Sequence, residues 1–573
     1  MSSHTMKSKT NATIRGSHMT AAFYRYSLLL ILLVLGACRS ETQETATLVV
    51  TDAKVWTGDP DRPWAEAVAT HGETITAVGS VADIAAFIGD DTEVISVAGS
   101  MLVPGMIDTH VHFITGGSGL AAVQLRDAAT PEEFAARIGA FAKTLKPGEW
   151  ILNGNWDHEN WGGELPRRDW IDAVTPENPV WINRLDGHMS LANSLALELA
   201  DVDADTPDVA GGEIVRDESG APTGVLKDNA MGLIDAAVPA PGEEQLDREA
   251  RAAMAHVASK GVTSVHDMAG WDSLAAYRRA KANGELTTRI YSVMPLQHWQ
   301  QLRDEMSRNG RGDNWLRIGG LKGFMDGSLG SHTAAFFEPF TDAPDDRGLL
   351  INDLDDMRSW IGSADEAGLH VMVHAIGDRA IRSLLDIYLD VAESNGERDR
   401  RFRVEHAQHI HPHDIARFGV QGVIASMQPY HAIDDGRWAD KVIGTERAKT
   451  TYAFRSLIES NAHVAFGSDW FVAPATPLEG IYAAVTRRTL DGANPDGWVP
   501  GQKITVEQAL KSYTSEAAYA SFEQDVKGML KPGMLADFVL LDRDITAIPP
   551  EEIADTEVLR TVVGGRVVFA ADQ

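Results

Sequence analysis

From residue 105 to residue 469 the chain repeats one pattern eight times: a short apolar run that reads as a buried strand, followed in most cases by a stretch with helical spacing. The runs are GMIDTHVH (105–112), GVTSVHDM (261–268), TTRIYSVM (287–294), LRIGGLKGFMD (316–326), GLHVMVHA (368–375), RFRVEHA (401–407), GVIASMQP (422–429) and AHVAFGSD (462–469). Stretches between them, such as DRAIRSLLDIYLDVAES, carry apolar residues three and four apart, the spacing of a helix with one buried face. Eight strands alternating with helices is the count of a (β/α)8 TIM-like barrel. A doubly wound parallel sheet is the alternative architecture. The first two runs are separated by far more than one helix, so residues 113–260 read as a large insertion after strand one, a cap over the barrel mouth. The cap carries Trp150, Trp156, Trp161, Trp170 and Trp181.

Both ends of the chain have a different texture. TLVVTDAKVWTG, AVATHGETITAVG and TEVISVAGSMLVPG near the start, and ADFVLLDRD and VLRTVVGGRVVFA near the end, are short alternating runs divided by Gly and Asp turns. They predict one small β-sandwich domain built from residues 47–104 and 525–573, with the barrel over 105–524. Residues 1–20 lack apolar periodicity, and Gly16-Ser17-His18-Met19 resembles a cloning scar, so they are set aside as a leader. Within 21–37, Arg25 precedes an apolar run from Ser27 to Ala37, too short to span a bilayer and of signal-peptide length. It ends in Leu35-Gly36-Ala37-Cys38, which resembles a bacterial lipobox, with the chain's only cysteine at the position that receives lipid. This predicts a lipoprotein of the bacterial cell envelope facing the periplasm, tethered through Cys38 and a linker over 38–46. An ordinary signal peptide with a chance cysteine is the alternative. A single cysteine excludes an intrachain disulfide framework. The formal charge of −31 argues against nucleic-acid binding, which needs basic patches.

Polar residues gather at the C-terminal ends of the strands. The first run ends in His110-Val111-His112, and alternation along a strand puts these two imidazoles on one side. The fourth carries Lys322, the fifth ends in His374, the sixth in His406 and the eighth in Asp469. In a barrel these ends converge on one mouth, and four His, one Asp and one Lys meeting there describe a metal site. Taken alone, each has a plain structural explanation; His-X-His is a moderate signal and Gly-Ser-Asp a weak one.

With these residues in this order, the chain resembles the amidohydrolase superfamily, and within it the YtcJ-like, amidohydrolase-3 branch. The motifs are VPGMIDTHVH, LKGFMDGSLGSHTAAF, HVMVHAIGDRA, VEHAQ, ASMQP, FGSDWFV and KGMLKPGMLADFVLLD, over about 47–571. The resemblance implies a hydrolase with two divalent metal ions, usually zinc, cleaving an amide, cyclic amide or formamide of a small molecule. His110, His112 and Asp469 would bind one ion and His374 and His406 the other, with a carboxylated Lys322 bridging them. A metal-bridging hydroxide would attack, and Asp469 would act as general base, then acid. Single-metal deaminases of the superfamily usually carry a Glu three residues after the fifth-strand His; here that position is Gly377. Ester or lactone hydrolysis at the same site, and a non-catalytic ligand-binding lipoprotein, are the alternatives. Similar proteins often pair, which leaves a homodimer open.

Several neighbours have two readings. His188 faces substrate or belongs to ordinary helix capping. Asp326, in the loop after Lys322, contacts substrate or braces the site, and the Gly-Ser-Leu-Gly-Ser that follows is either a backbone cradle or a tight turn. Trp156 lines a pocket or packs the cap. Arg379 binds a substrate anion or pairs with carboxylates. His266 supports the site or satisfies a core hydrogen bond. His409, His411 and His413 read as surface residues beyond the sixth strand.

Overall fold

Eight parallel strands, hydrogen-bonded in chain order, form the centre of the computed structural model, which describes residues 45–571. They are β1 (Met106–Val111), β2 (Val262–Met268), β3 (Arg289–Pro295), β4 (Leu316–Phe324), β5 (His370–Ala375), β6 (Arg403–His406), β7 (Ile424–Met427) and β8 (Val464–Phe466). Each matches one expected run to within about three residues at its ends, β3 reaching one residue further, to Pro295. The ring closes just past β8, where Asp469 N donates to His110 O at 2.7 Å and His112 N to Trp470 O at 2.6 Å. β5 shows why such segments become strands here: all six residues of HVMVHA are buried, as in a parallel sheet covered by helices. The helix after it, Asp378–Asn395, buries Ile381, Leu384, Leu385, Tyr388 and Val391 against the barrel.

Both ends of the chain share a sheet. Phe538–Leu541 pairs antiparallel with Met101–Pro104, and the six-stranded sheet around them faces a four-stranded one built from Leu48–Thr51, Ala67–His71, Thr74–Gly79 and Glu93–Ser96. Leu48, Val50, Val68 and Ile75 from one sheet and Val55, Leu102, Phe538 and Val562 from the other form the core of this sandwich.

The cap is organised around a five-stranded sheet of Ile151–Leu152, Val180–Asn183, Met189–Ala192, Pro222–Asp228 and Gly212–Arg216. Its end differs from the expected boundary at 260. The helix Glu243–Ser259 buries Leu246, Ala250, Ala253, Met254 and Val257 in the barrel's own core, so it belongs to the barrel wall and the cap ends before it. A helix leading into a strand gives the same sequence pattern whether it starts from a cap or from a neighbouring strand. The apolar run Ser27–Ala37 and Cys38 lie outside the described residues.

Candidate metal centre

His110 sits at the end of β1, fully buried, and its Nδ1 donates to Glu405 Oε2 at 2.6 Å. Glu405 is clamped by Arg403, whose Nε lies 2.7 Å from Oε1 and whose second terminal nitrogen lies 3.0 Å from Oε2. Burial opposes the Glu405 charge, but Arg403 and the His110 hydrogen bond outweigh it and hold the carboxyl at about 2. A carboxylate on Nδ1 keeps the proton there and turns Nε2 outward as a lone pair, the usual arrangement behind a metal-binding imidazole. Burial, then Lys322, pushes His110 down to about 4, so the ring is neutral.

The other two buried imidazoles follow the same logic. His374 Nε2 donates to Gly327 O at 3.0 Å, leaving Nδ1. His406 Nδ1 donates to Gln428 Oε1 at 2.9 Å, leaving Nε2. Burial drives both pKa values well below the ordinary histidine value. Their ring centroids are 4.5 Å apart, and those of His406 and His110 are 4.8 Å apart.

Asp469 completes the group. Its Oδ1 is 3.3 Å from His112 Nε2 and 3.6 Å from His110 Nε2, and it is buried without a hydrogen-bond partner. Burial works against its charge, but the surrounding imidazoles keep the carboxyl well below the usual range. Lys322 Nζ lies 3.1 Å from His110 Nε2, and burial pushes this amine down to about 8.

Local backbone explains the convergence. His406, Ala407 and Asp469 have φ of 71°, 45° and 61°, a conformation non-glycine residues adopt at a cost and keep mainly at functional sites. The turn at His406 breaks strand alternation, so Glu405 and His406 both face His110. Asp108 on β1 accepts from Ser468 N at 2.8 Å and from Ser468 Oγ, tying β1 to the segment that carries Asp469. A Cβ on Gly467 would lie 2.6 Å from His110 N, which is why glycine stands there.

Among the described residues, His110, His406 and Asp469 present ligand atoms within 4.8 Å of one another. Neutral imidazoles, an ionised carboxylate and an orphaned Oδ1 suit a divalent ion such as zinc. The structure brings His112, His374 and Lys322 to the same place.

A cleft opens over this group. It is lined by His188, Asp186 and Arg184 of the cap, Ser328–Gly330, His374, His406, Asp469, and His431, Asp434 and Trp438 beyond β7. His188 faces it, its Nδ1 donating to Asp228 Oδ1 at 2.7 Å, a contact that outweighs burial and raises its pKa. Three expectations are corrected. Asp326 does not line the cleft; its carboxylate accepts from Ala335 N, Ile376 N and Gly377 N at 2.8, 3.0 and 2.8 Å and braces the loops behind His374. Trp156 is fully buried in the cap core with Phe134 and Ile182, its indole donating to Ile182 O at 2.9 Å. Arg379 stands outside the cleft at the start of its helix, and its Nε has no hydrogen-bond partner. His409, expected at the surface, is buried against Phe336 and bonded to Thr451; His411 is half-buried and His413 exposed. His266 is buried with Nδ1 2.9 Å from Arg403, a support to the Glu405 clamp.

The residue reading missed Glu405, Arg403, Asp186 and His431. His431 is 8% exposed, and its Nε2 has no hydrogen-bond partner. Its only sequence signal is its place three residues after Gln428.

A barrel with metal-ligand chemistry at its strand ends defines a scaffold for metal-assisted catalysis. Residues 93–569 match the model of the Amidohydrolase family, and the chain belongs to that family, in its YtcJ-like branch. It is 40% identical to Protein LONG AFTER FAR-RED 3 of Arabidopsis thaliana, over 91% of this chain and 92% of that one. It is 30% identical to putative amidohydrolase YtcJ of Bacillus subtilis (strain 168), over 88% and 96%. N-substituted formamide deformylase of Arthrobacter pascens is 28% identical over 90% and 97%. Among solved structures, an uncharacterized metal-dependent hydrolase from Pyrococcus horikoshii OT3 superposes with a TM-score of 0.72 at 27% identity, covering 88% of this chain and 99% of that one. The protein is a hydrolase acting on C–N bonds.

Proposed function

We propose that the chain cleaves the C–N bond of a small amide, cyclic amide or formamide at a centre of two divalent ions. His110, His112 and Asp469 would hold one ion, zinc in the simplest case, and His374 and His406 the other, with Lys322 carboxylated as the bridge. When bound, such ions polarise a carbonyl and acidify water. The observation that carries the reading is the set of tied nitrogens: Glu405, Gly327 O and Gln428 each hold one ring nitrogen of a histidine and turn the other toward the centre, where His110 Nε2 meets Lys322 Nζ. The buried Lys322 amine, lowered to about 8, has a neutral fraction at neutral pH that can add to carbon dioxide and lose a proton, giving a carbamate.

The chain's own groups handle substrate and protons. Asp469 takes a proton from the attacking water and returns it to the departing nitrogen. His188, held by Asp228, donates to the substrate carbonyl oxygen. The relative named as a formamide deformylase makes N-substituted formamides the first substrates to try. The zinc-loaded protein is expected to hydrolyse a formamide, N-acyl amino acid or cyclic imide, with Asp469→Asn slower by about 10³-fold. Aryl esters serve as the contrast. Unchanged turnover in Asp469→Asn, or no metal bound after zinc loading, would refute the reading. We propose separately that Cys38 carries a lipid anchor at the cell envelope; Cys38→Ser should move the protein from membrane to soluble fraction.

A further inference from the structure

The cleft over the metal centre is cramped. Its cavity volume is about 40 Å³, room for about three waters. A small reacting group such as a carbonyl fits there. A larger space lies on the other side of the same centre. Two adjoining cavities of about 380 and 470 Å³ share Thr115, Leu152, Asn153, Val238, Pro239 and Pro241, and so form one groove along the seam between cap and barrel. Each is within the size range of small-molecule pockets, about 300–1,000 Å³.

The groove and the cleft lie back to back at the centre. His112, with its side chain 28% exposed, lines the groove, while Asp469 lines the cleft, and 3.3 Å separates His112 Nε2 from Asp469 Oδ1. The wall between them is thin. Asp186 and His188 face the cleft, whereas Gly187 faces the groove; Val472 faces the cleft, whereas Phe471 faces the groove. Gly187 packs beside Phe471, where a Cβ would make only an ordinary 3.5 Å contact with Cζ; its φ of 73° is what favours glycine there. The Phe471 ring centroid is 5.6 Å from that of His112. Beyond Phe471 the lining turns apolar: Leu152, Met231, Val238 and Trp181, whose indole nitrogen is already bonded to Asp235 at 2.7 Å.

We infer that this groove takes an apolar aryl or alkyl substituent of the amide whose carbonyl occupies the cleft, with Phe471 as the divide. The inference rests on the hydrolase reading above. It makes the substrate a two-part molecule: a small polar reacting group and one bulky apolar arm.

Hydroxamates chelate divalent ions, so a pair of them reads centre and groove separately by calorimetry on the zinc-loaded protein. Phenylacetohydroxamate should bind about tenfold tighter than acetohydroxamate. Thr115→Trp fills the groove from an exposed helix position, and Val238→Trp fills it from the cap. Each should erase that gain and leave acetohydroxamate affinity unchanged. No gain in the unmodified protein, or a gain that survives both variants, overturns the inference. Should acetohydroxamate itself fail to bind, the metal reading falls, and N-(4-fluorobenzyl)acetamide still tests the groove. Its ¹⁹F line should broaden with the unmodified protein and sharpen with Thr115→Trp; equal lines overturn the groove.

Discussion

The two sides of the barrel mouth are built in opposite ways. On the cleft side nearly every charge is tied. Arg184 is held by Asp186 at 2.7 Å and Asp157 at 3.3 Å, Asp186 also accepts from Ser331 Oγ at 3.0 Å, and Arg437 joins Asp157 at 3.1 Å to Asp434. These bonds link cap to barrel and leave little space. On the groove side the lining is mostly apolar, with Leu152, Met231, Val238 and Phe471 around an open channel and a hydrogen bond from Asn153 Nδ2 to Ser118 Oγ at 3.3 Å. The contrast separates two tasks. Fixed polar groups set reacting atoms to within a fraction of an ångström, which catalysis rewards. A loosely filled apolar channel discriminates weakly and so admits a range of substituents.

The comparison can be broken at graded points. The largest effect is expected at Lys322→Ala, which removes the proposed bridge: bound metal should fall from about two ions per chain to one or fewer by elemental analysis, with partial return on adding a short carboxylic acid. Retention of both ions would remove Lys322 from the centre. Glu405→Gln keeps shape but weakens the grip on His110 Nδ1. Metal affinity, read by competition with a chelator, should drop about 10–100-fold, without change in the substituent preference that the groove governs. His431→Ala removes an unpartnered donor from the cleft; KM should rise about 3–10-fold, the worth of one hydrogen bond to a neutral group, with kcat nearly constant. An effect on kcat alone would place His431 in proton transfer. The smallest change is expected at Phe471→Ala, which opens the wall. Rates for small and bulky substituents should converge by about threefold, and an unchanged ratio would mean that the ring divides nothing.

What the residues disclosed by themselves has a physical limit. The barrel was legible because buried parallel strands are continuous apolar runs of fixed length, and the ligands because each sits where such a run stops. His188 was legible only through its motif. Glu405 was not, since strand alternation puts it on the face opposite His406; the left-handed turn at His406 undoes that rule. The same turn folds the chain back and buries His409, which a straight extension would have exposed. Trp156 suits a pocket wall or a core equally by composition, and only its neighbours Phe134 and Ile182 decide. Arg184 and Asp186 lie in the cap, where nothing in the spacing indicates which loop leans over the mouth.

The strand shared by the two chain ends sets a timetable. Met101–Pro104 runs directly into β1 and His110 and pairs on one side with Lys54–Trp56, yet its neighbour on the other side is Phe538–Leu541. On the ribosome the two are made roughly 430 residues apart, a delay of roughly 20–90 s at about 5–20 residues per second. Every candidate ligand, from His110 to Asp469, is synthesised within that interval, while the ribbon feeding the first of them has one open edge. A chain cut short after Asp469 would therefore carry the whole donor set on a fold whose entry strand still lacks its neighbour.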